Sequence, residues 1–227
     1  MLSIADIPDE YRRDVPDGEN VARLASGVQT AIGEAVGEAG LIALNRFVQA
    51  GFLFRSSEIG RTMIRSSPDL QGPLAETSQL VNFAGGALSA SSLVGAVDLS
   101  AAAIHRLSLG PINPRDEARE ADVKDFPRKN ELPADAKRWL DETRTAKEWE
   151  VLKSVRDGFV HRWFRLDVTI VLGGPMLHHL QIAGQRKSLG EFLNESRDFV
   201  VDRLVAAGLV MQAHADRVSA ATKHPSV

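Results

Sequence analysis

The sequence predicts a mainly α protein: a helical bundle built on long antiparallel helices, with one small β-hairpin. Three observations point there. Apolar residues recur at three- and four-residue steps over most of the chain. Proline and glycine interrupt that pattern at helix-length intervals, as in "SSPD" at Ser66–Asp69 and at Gly110-Pro111. The period changes to extended, branched runs at one place only, around Gly173-Gly174-Pro175.

The elements follow in order. Residues 1–18 hold acids and prolines and read as a flexible N-terminal segment; residues 19–227 read as a single domain. Val21, Leu24, Val28, Ile32, Val36, Leu41, Leu44, Phe47 and Val48 mark helix from about Glu19 to Arg65, which the glycines at 27, 33, 37, 40 and 51 weaken enough to allow a break. Pro68 then stops it, because proline cannot continue a helix and restrains the residue before it. A second long helix is expected from Pro73 to Leu109. Its small residues, "AGGALSASS", would let a neighbouring backbone approach closely. Residues 110–133 carry four prolines and many charges and read as an irregular linker.

Helix resumes near Ala134. The capping-box spacing of "TAKE", Thr145–Glu148, places Lys147 to about Phe164 on one helix. Two extended runs follow as the hairpin. A second capping-box spacing, "SLGE" at Ser188–Glu191, opens a last helix with Leu189, Phe192, Leu193, Phe199, Val200, Leu204, Leu209 and Met211 near one face. The tail "ATKHPSV" is expected to fray.

Composition bounds the function. A net charge of -3 over 227 residues excludes a general nucleic-acid coat, so any polyanion site must be a local patch. With no cysteine there is no disulfide, no thiol nucleophile and no cysteine-ligated zinc. No glycine loop of the Walker or Rossmann kind occurs, and no cofactor is implied. Thr77–Val97 is uncharged and long enough to span a bilayer, but its Ser, Gly, Ala, Gln and Asn content suits a closely packed core helix better. No signal-like apolar stretch opens the chain, and the cytoplasm is the expected location.

The chemistry concentrates in "KSVRDGFVH", Lys153–His161. On a helix Arg156 and His161 stand about 140° apart, within reach of one phosphate through the long arginine. Asp157 and His161 are four residues apart on one face, where the carboxylate could orient the imidazole and raise its pKa. A guanidinium to hold a phosphate and a histidine to move a proton suffice for RNA cleavage without a metal, the ribose 2′-OH serving as nucleophile. Gly158 is out of place in a plain surface helix, where glycine costs about 1 kcal/mol against alanine. Close approach of a partner helix or of an RNA backbone would account for it.

The pattern Arg156, Asp157, three residues, His161, late in a helix of a helical chain, resembles the HEPN superfamily. HEPN domains are bundles on a pair of long antiparallel helices. Many are metal-independent endoribonucleases of toxin–antitoxin, abortive-infection and CRISPR systems, and others are inactive. The resemblance implies that Arg156 binds phosphate, Asp157 takes the polar second position and His161 is the acid/base residue. It further implies a homodimer that brings two motifs into one cleft, and a possible antitoxin or other protein partner. The hairpin after the motif departs from the simplest HEPN core.

From Lys137 to Arg165 basic residues outnumber acids by three, and Lys153, Arg162 and Arg165 are candidate RNA contacts. His178 and His179 would point to opposite faces of a strand, so they do not make a metal site. Trp139, Trp149 and Trp163 could stack on bases, although burial is the commoner use of tryptophan. Two alternatives to an endoribonuclease remain: a non-catalytic helical dimer that binds protein or RNA, and a small-molecule-binding bundle with a cavity along Phe83–Ala101.

Overall fold

The structure is a computed structural model that describes residues 37–66, 75–110, 122–161, 167–170, 176–182 and 185–223. Five helices dominate it: α1 (Gly37–Ser66), α2 (Ala75–Leu109), α3 (Ala134–Thr145), α4 (Lys147–His161) and α5 (Leu189–Lys223). A small antiparallel sheet, β1 (Asp167–Ile170), β2 (Met176–Ile182) and β3 (Gln185–Ser188), separates α4 from α5. The mainly α class with a small sheet is therefore as the sequence predicts. The expected N-terminal segment 1–18, the helical turns before Gly37, residues 111–121 of the linker and the Gly173-Gly174-Pro175 turn lie outside the described residues.

The small residues of α2 make the central contact. A Cβ on Gly60 of α1 would come within 2.5 Å of the Gly85 carbonyl oxygen, and one on Gly85 within 2.6 Å of the Gly60 carbonyl oxygen. Only two bare backbones fit there. Further along, Leu53 lies over Gly95, so the two helices run antiparallel. The Ser89 hydroxyl donates to the Ser57 carbonyl at 2.9 Å and fastens the crossing. On another side of α2, Phe159 of α4 and Leu189 of α5 close over Gly86, and Phe83 meets Phe159 edge to face at 5.2 Å. Neighbouring groups thus occupy the space over these glycines, which is not the cavity a small-molecule bundle would need. Leu80–Leu109 is long and apolar enough to cross a bilayer, and 67% of an 18-residue apolar window within it is buried inside the fold.

The buried side chains of all five helices and Leu180 of β2 form one continuous core. Phe47, Phe54, Leu93, Ile104, Leu152, Leu193, Leu204 and Met211 are among those fully shielded. Each contributes about 1.5–3 kcal/mol by leaving water. α3 docks on α5 through Trp139, whose indole N–H donates to the Arg203 carbonyl at 2.9 Å, and through Arg217–Asp135 at 2.9 Å. α1 docks on α5 through a polar knot: Glu58 accepts from Arg61 at 2.5 Å and from Arg197 at 3.0 Å. Arg61 also donates to Asn194.

Several expectations change. The linker is not wholly a surface excursion: Val123, Phe126 and Leu132 are buried, and a 3-10 turn spans Lys129–Glu131. Its apolar residues are too sparse to show a period, yet they cover the end of α2. "TAKE" does not cap, because the Thr145 hydroxyl turns back to the Asp141 carbonyl at 2.8 Å and stays in α3. "SLGE" does cap: the Glu191 N–H donates to the Ser188 hydroxyl at 3.1 Å. α4 is described as far as His161, and its expected end near Phe164 lies outside the described residues. The hairpin gains a third strand, with Ile182 paired to Gln185 and His179 to Ser188. The last helix persists to Lys223, into the tail expected to fray.

Candidate functional site

α4 carries the motif because its apolar residues fall in one row. Trp149, Leu152, Val155 and Phe159 recur at three- and four-residue steps and are buried against the bundle. The polar residues Lys153, Arg156 and Asp157 flank that row and remain partly exposed. Gly158 is buried, and the helix continues through it to His161. The glycine therefore serves a packed position and not an early helix end.

Lys153 and Arg156 are three positions apart, so the two cations are neighbours about one turn apart. The Lys153 ammonium lies 5.6 Å from the centre of the Trp149 ring. The Arg156 Nε stands 2.7 Å from Asp157 Oδ1. Hydrogen-bond geometry is missing, however: Nε is buried and makes no hydrogen bond among the described residues. Asp157 therefore faces Arg156 through a close ion pair. His161 ends α4, and its side chain lies outside the described residues, as do Arg162 and Arg165. The expected contact of Asp157 with the imidazole falls there too.

The structure adds a residue that sequence reasoning missed. Asp98, in the middle of α2, has a buried Oδ1 with no hydrogen-bond partner among the described residues. Burial lifts its carboxyl from 3.8 to about 7, against the pull of Lys153 and Arg156, and the charge of Asp122 adds to the rise. One signal could have found it. Asp98 is the only charged residue between Glu76 and His105. A lone carboxylate in a long uncharged helix needs either a cation or a proton.

Two turns further along α2, His105 is fully buried against Phe126, ring centres 5.0 Å apart. Neither ring nitrogen makes a hydrogen bond of full geometry among the described residues, although the Pro127 backbone lies close enough to favour the charged ring. Burial, aided by Arg106 and Arg128, lowers its pKa from 6.5 to about 4, which keeps the ring neutral.

The other sequence candidates distribute as follows. Trp139 and Trp149 are core residues and cannot stack on bases, while Trp163 lies outside the described residues. Two acids already counted in the charge balance of this region pair within it, Asp141 with Arg144 at 3.4 Å and Asp157 with Arg156 at 2.7 Å, so the basic excess of three stands. No group of three or more His, Asp or Glu among the described residues is arranged to hold a metal ion. No family model, curated protein or solved structure matches this chain.

Proposed function

We propose that this protein is a HEPN-like, metal-independent endoribonuclease acting as a homodimer, in a toxin or defence setting. The observation that carries the proposal is the polar strip of α4. Lys153, Arg156 and Asp157 are partly exposed on one helix, held in place by a buried apolar row, with His161 ending that helix. In this reading Arg156 and Lys153 bind the scissile phosphate, and Asp157 keeps the guanidinium in place. His161 moves the proton to or from the ribose 2′-OH or the leaving oxygen.

The test is cleavage of single-stranded RNA in EDTA by the wild type, Arg156→Ala and His161→Ala. Cleavage by the wild type and a loss of at least about a hundredfold in each variant are expected. Equal inertness of all three would remove the proposal.

A second reading is favoured by a separate observation. Phe52 and Ile59 of α1 are 50% and 57% exposed, and Leu80 and Leu88 of α2 are 70% and 38% exposed. Ile59 is two residues from Arg61, hence about 200° round α1 from the contact with α5. The Gly60–Gly85 crossing brings Ile59 level with Leu88. These residues make an apolar face of the helix pair turned away from α5, suited to a second copy of the chain. A non-catalytic helical dimer would use the same face.

A further inference from the structure

We propose that Asp98 completes the Arg156 site as a proton-linked partner: the carboxyl takes up a proton from solvent when an RNA phosphate engages Lys153 and Arg156. The inference rests on the phosphate-binding role given to Arg156 above.

The geometry comes first. Asp98 of α2 and Arg156 of α4 each bury a polar atom, Oδ1 and Nε, that makes no hydrogen bond among the described residues. A purely structural ion pair at a helix interface would join such atoms, because a buried hydrogen bond left unmade is costly. Here the guanidinium leans to Asp157 instead. The cluster is a partly satisfied polar site at the position the sequence motif marks.

The charges that act on Asp98 come from two elements. Lys153 and Arg156 on α4 favour its ionised form; Asp122, ahead of the 3-10 turn, and burial favour the protonated form. These opposing influences leave the carboxyl close to balance near neutral pH. A phosphate on Lys153 and Arg156 would offset both cations and add a negative charge of its own. Both changes push Asp98 to its neutral form. Binding then carries one proton, and affinity falls as pH rises through neutrality.

The experiment measures binding of a fluorescein-labelled 2′-O-methyl single-stranded RNA, which cannot be cleaved through its 2′-oxygen, at pH 6.5 and 8.5. The wild type is expected to weaken about tenfold across that range. Asp98→Asn, which mimics the neutral carboxyl, should keep the tighter affinity at both values. Should that variant fold poorly, the Asp98 carboxyl can be titrated by carbon NMR in the wild type, where added RNA is expected to raise its midpoint. An equal pH slope in wild type and Asp98→Asn, or a midpoint unmoved by RNA, would overturn the inference. It would leave the endoribonuclease reading standing. Proton-linked binding by a protein that cleaves no RNA would do the reverse, and absence of binding at both pH values would remove both.

Discussion

At the residue scale, the clearest lesson lies in two kinds of small or lone residue on α2. Gly85 and its partner Gly60 are required by contact distance. A methyl on either meets the other's backbone oxygen, which cannot swing aside as a side chain could. Gly60→Ala is therefore expected to lower stability by about 1–3 kcal/mol, read by chemical denaturation. Gly51→Ala serves as a control, since nothing stands within 4 Å of its added methyl. There the helix-propensity gain should leave stability unchanged or slightly raised. The glycine-rich stretch was legible as a close-packing surface because small residues on a long helix have few other uses. Asp98 was not singled out, although its isolation among uncharged residues was visible. Its consequence depends on Lys153 and Arg156 arriving from a helix about fifty residues later, which no local pattern reveals.

At the element scale, α2 carries two buried titratable groups with opposite effects. Asp98 rises from 3.8 to about 7, so the folded state binds more protons than the unfolded chain between those values. Its contribution to stability falls as pH rises through that window and is lowest above about 7. His105 drops from 6.5 to about 4, so the unfolded chain binds more protons there. Its contribution falls as pH drops from 6.5 to about 4. From pH 4 to 6.5 the two slopes oppose each other. Asp98→Asn removes one of them, so its stability relative to the wild type should grow with pH up to about 7. Urea denaturation of both proteins from pH 4.5 to 8 measures this, and parallel profiles would contradict the burial of Asp98.

The two capping-box spacings separate in the same physical terms. Ser188 ends an extended strand, so its hydroxyl is free to accept from the first turn of α5. Thr145 still belongs to the last turn of α3, and its hydroxyl is taken by the Asp141 carbonyl. Ser188→Ala should cost about 1 kcal/mol by thermal melting, whereas Thr145→Ala should leave stability nearly unchanged. Strand β3 escaped the sequence because "QRKS" has no apolar alternation. It is held by pairing with β2 and by Lys187 bonding Glu195 of α5.

At the scale of the whole molecule, the long helices follow from periodicity, and their order in the bundle follows from which faces carry glycine and which carry large apolar groups. The site was legible in part. The motif located Lys153, Arg156 and Asp157 on one helix, while the pull of Lys153 and Arg156 on the Asp98 carboxyl arises only in the folded bundle. The apolar face of α1 and α2 carries its own consequence: Phe52→Glu combined with Ile59→Glu should shift the protein toward monomer in analytical ultracentrifugation, with helical content kept. If the composite cleft of a homodimer is required, the same double variant should also lose RNA cleavage.

The most direct measurement is end-group analysis of the cleavage products, comparing an RNA with the same strand carrying 2′-deoxyribose at the cut position, in EDTA. Attack by the 2′-OH predicts a 2′,3′-cyclic phosphate on the upstream fragment of the RNA and no cut at the deoxy position. A 3′-hydroxyl product, equal cutting of both strands or no cutting of either would contradict a metal-free endoribonuclease built on Arg156 and His161.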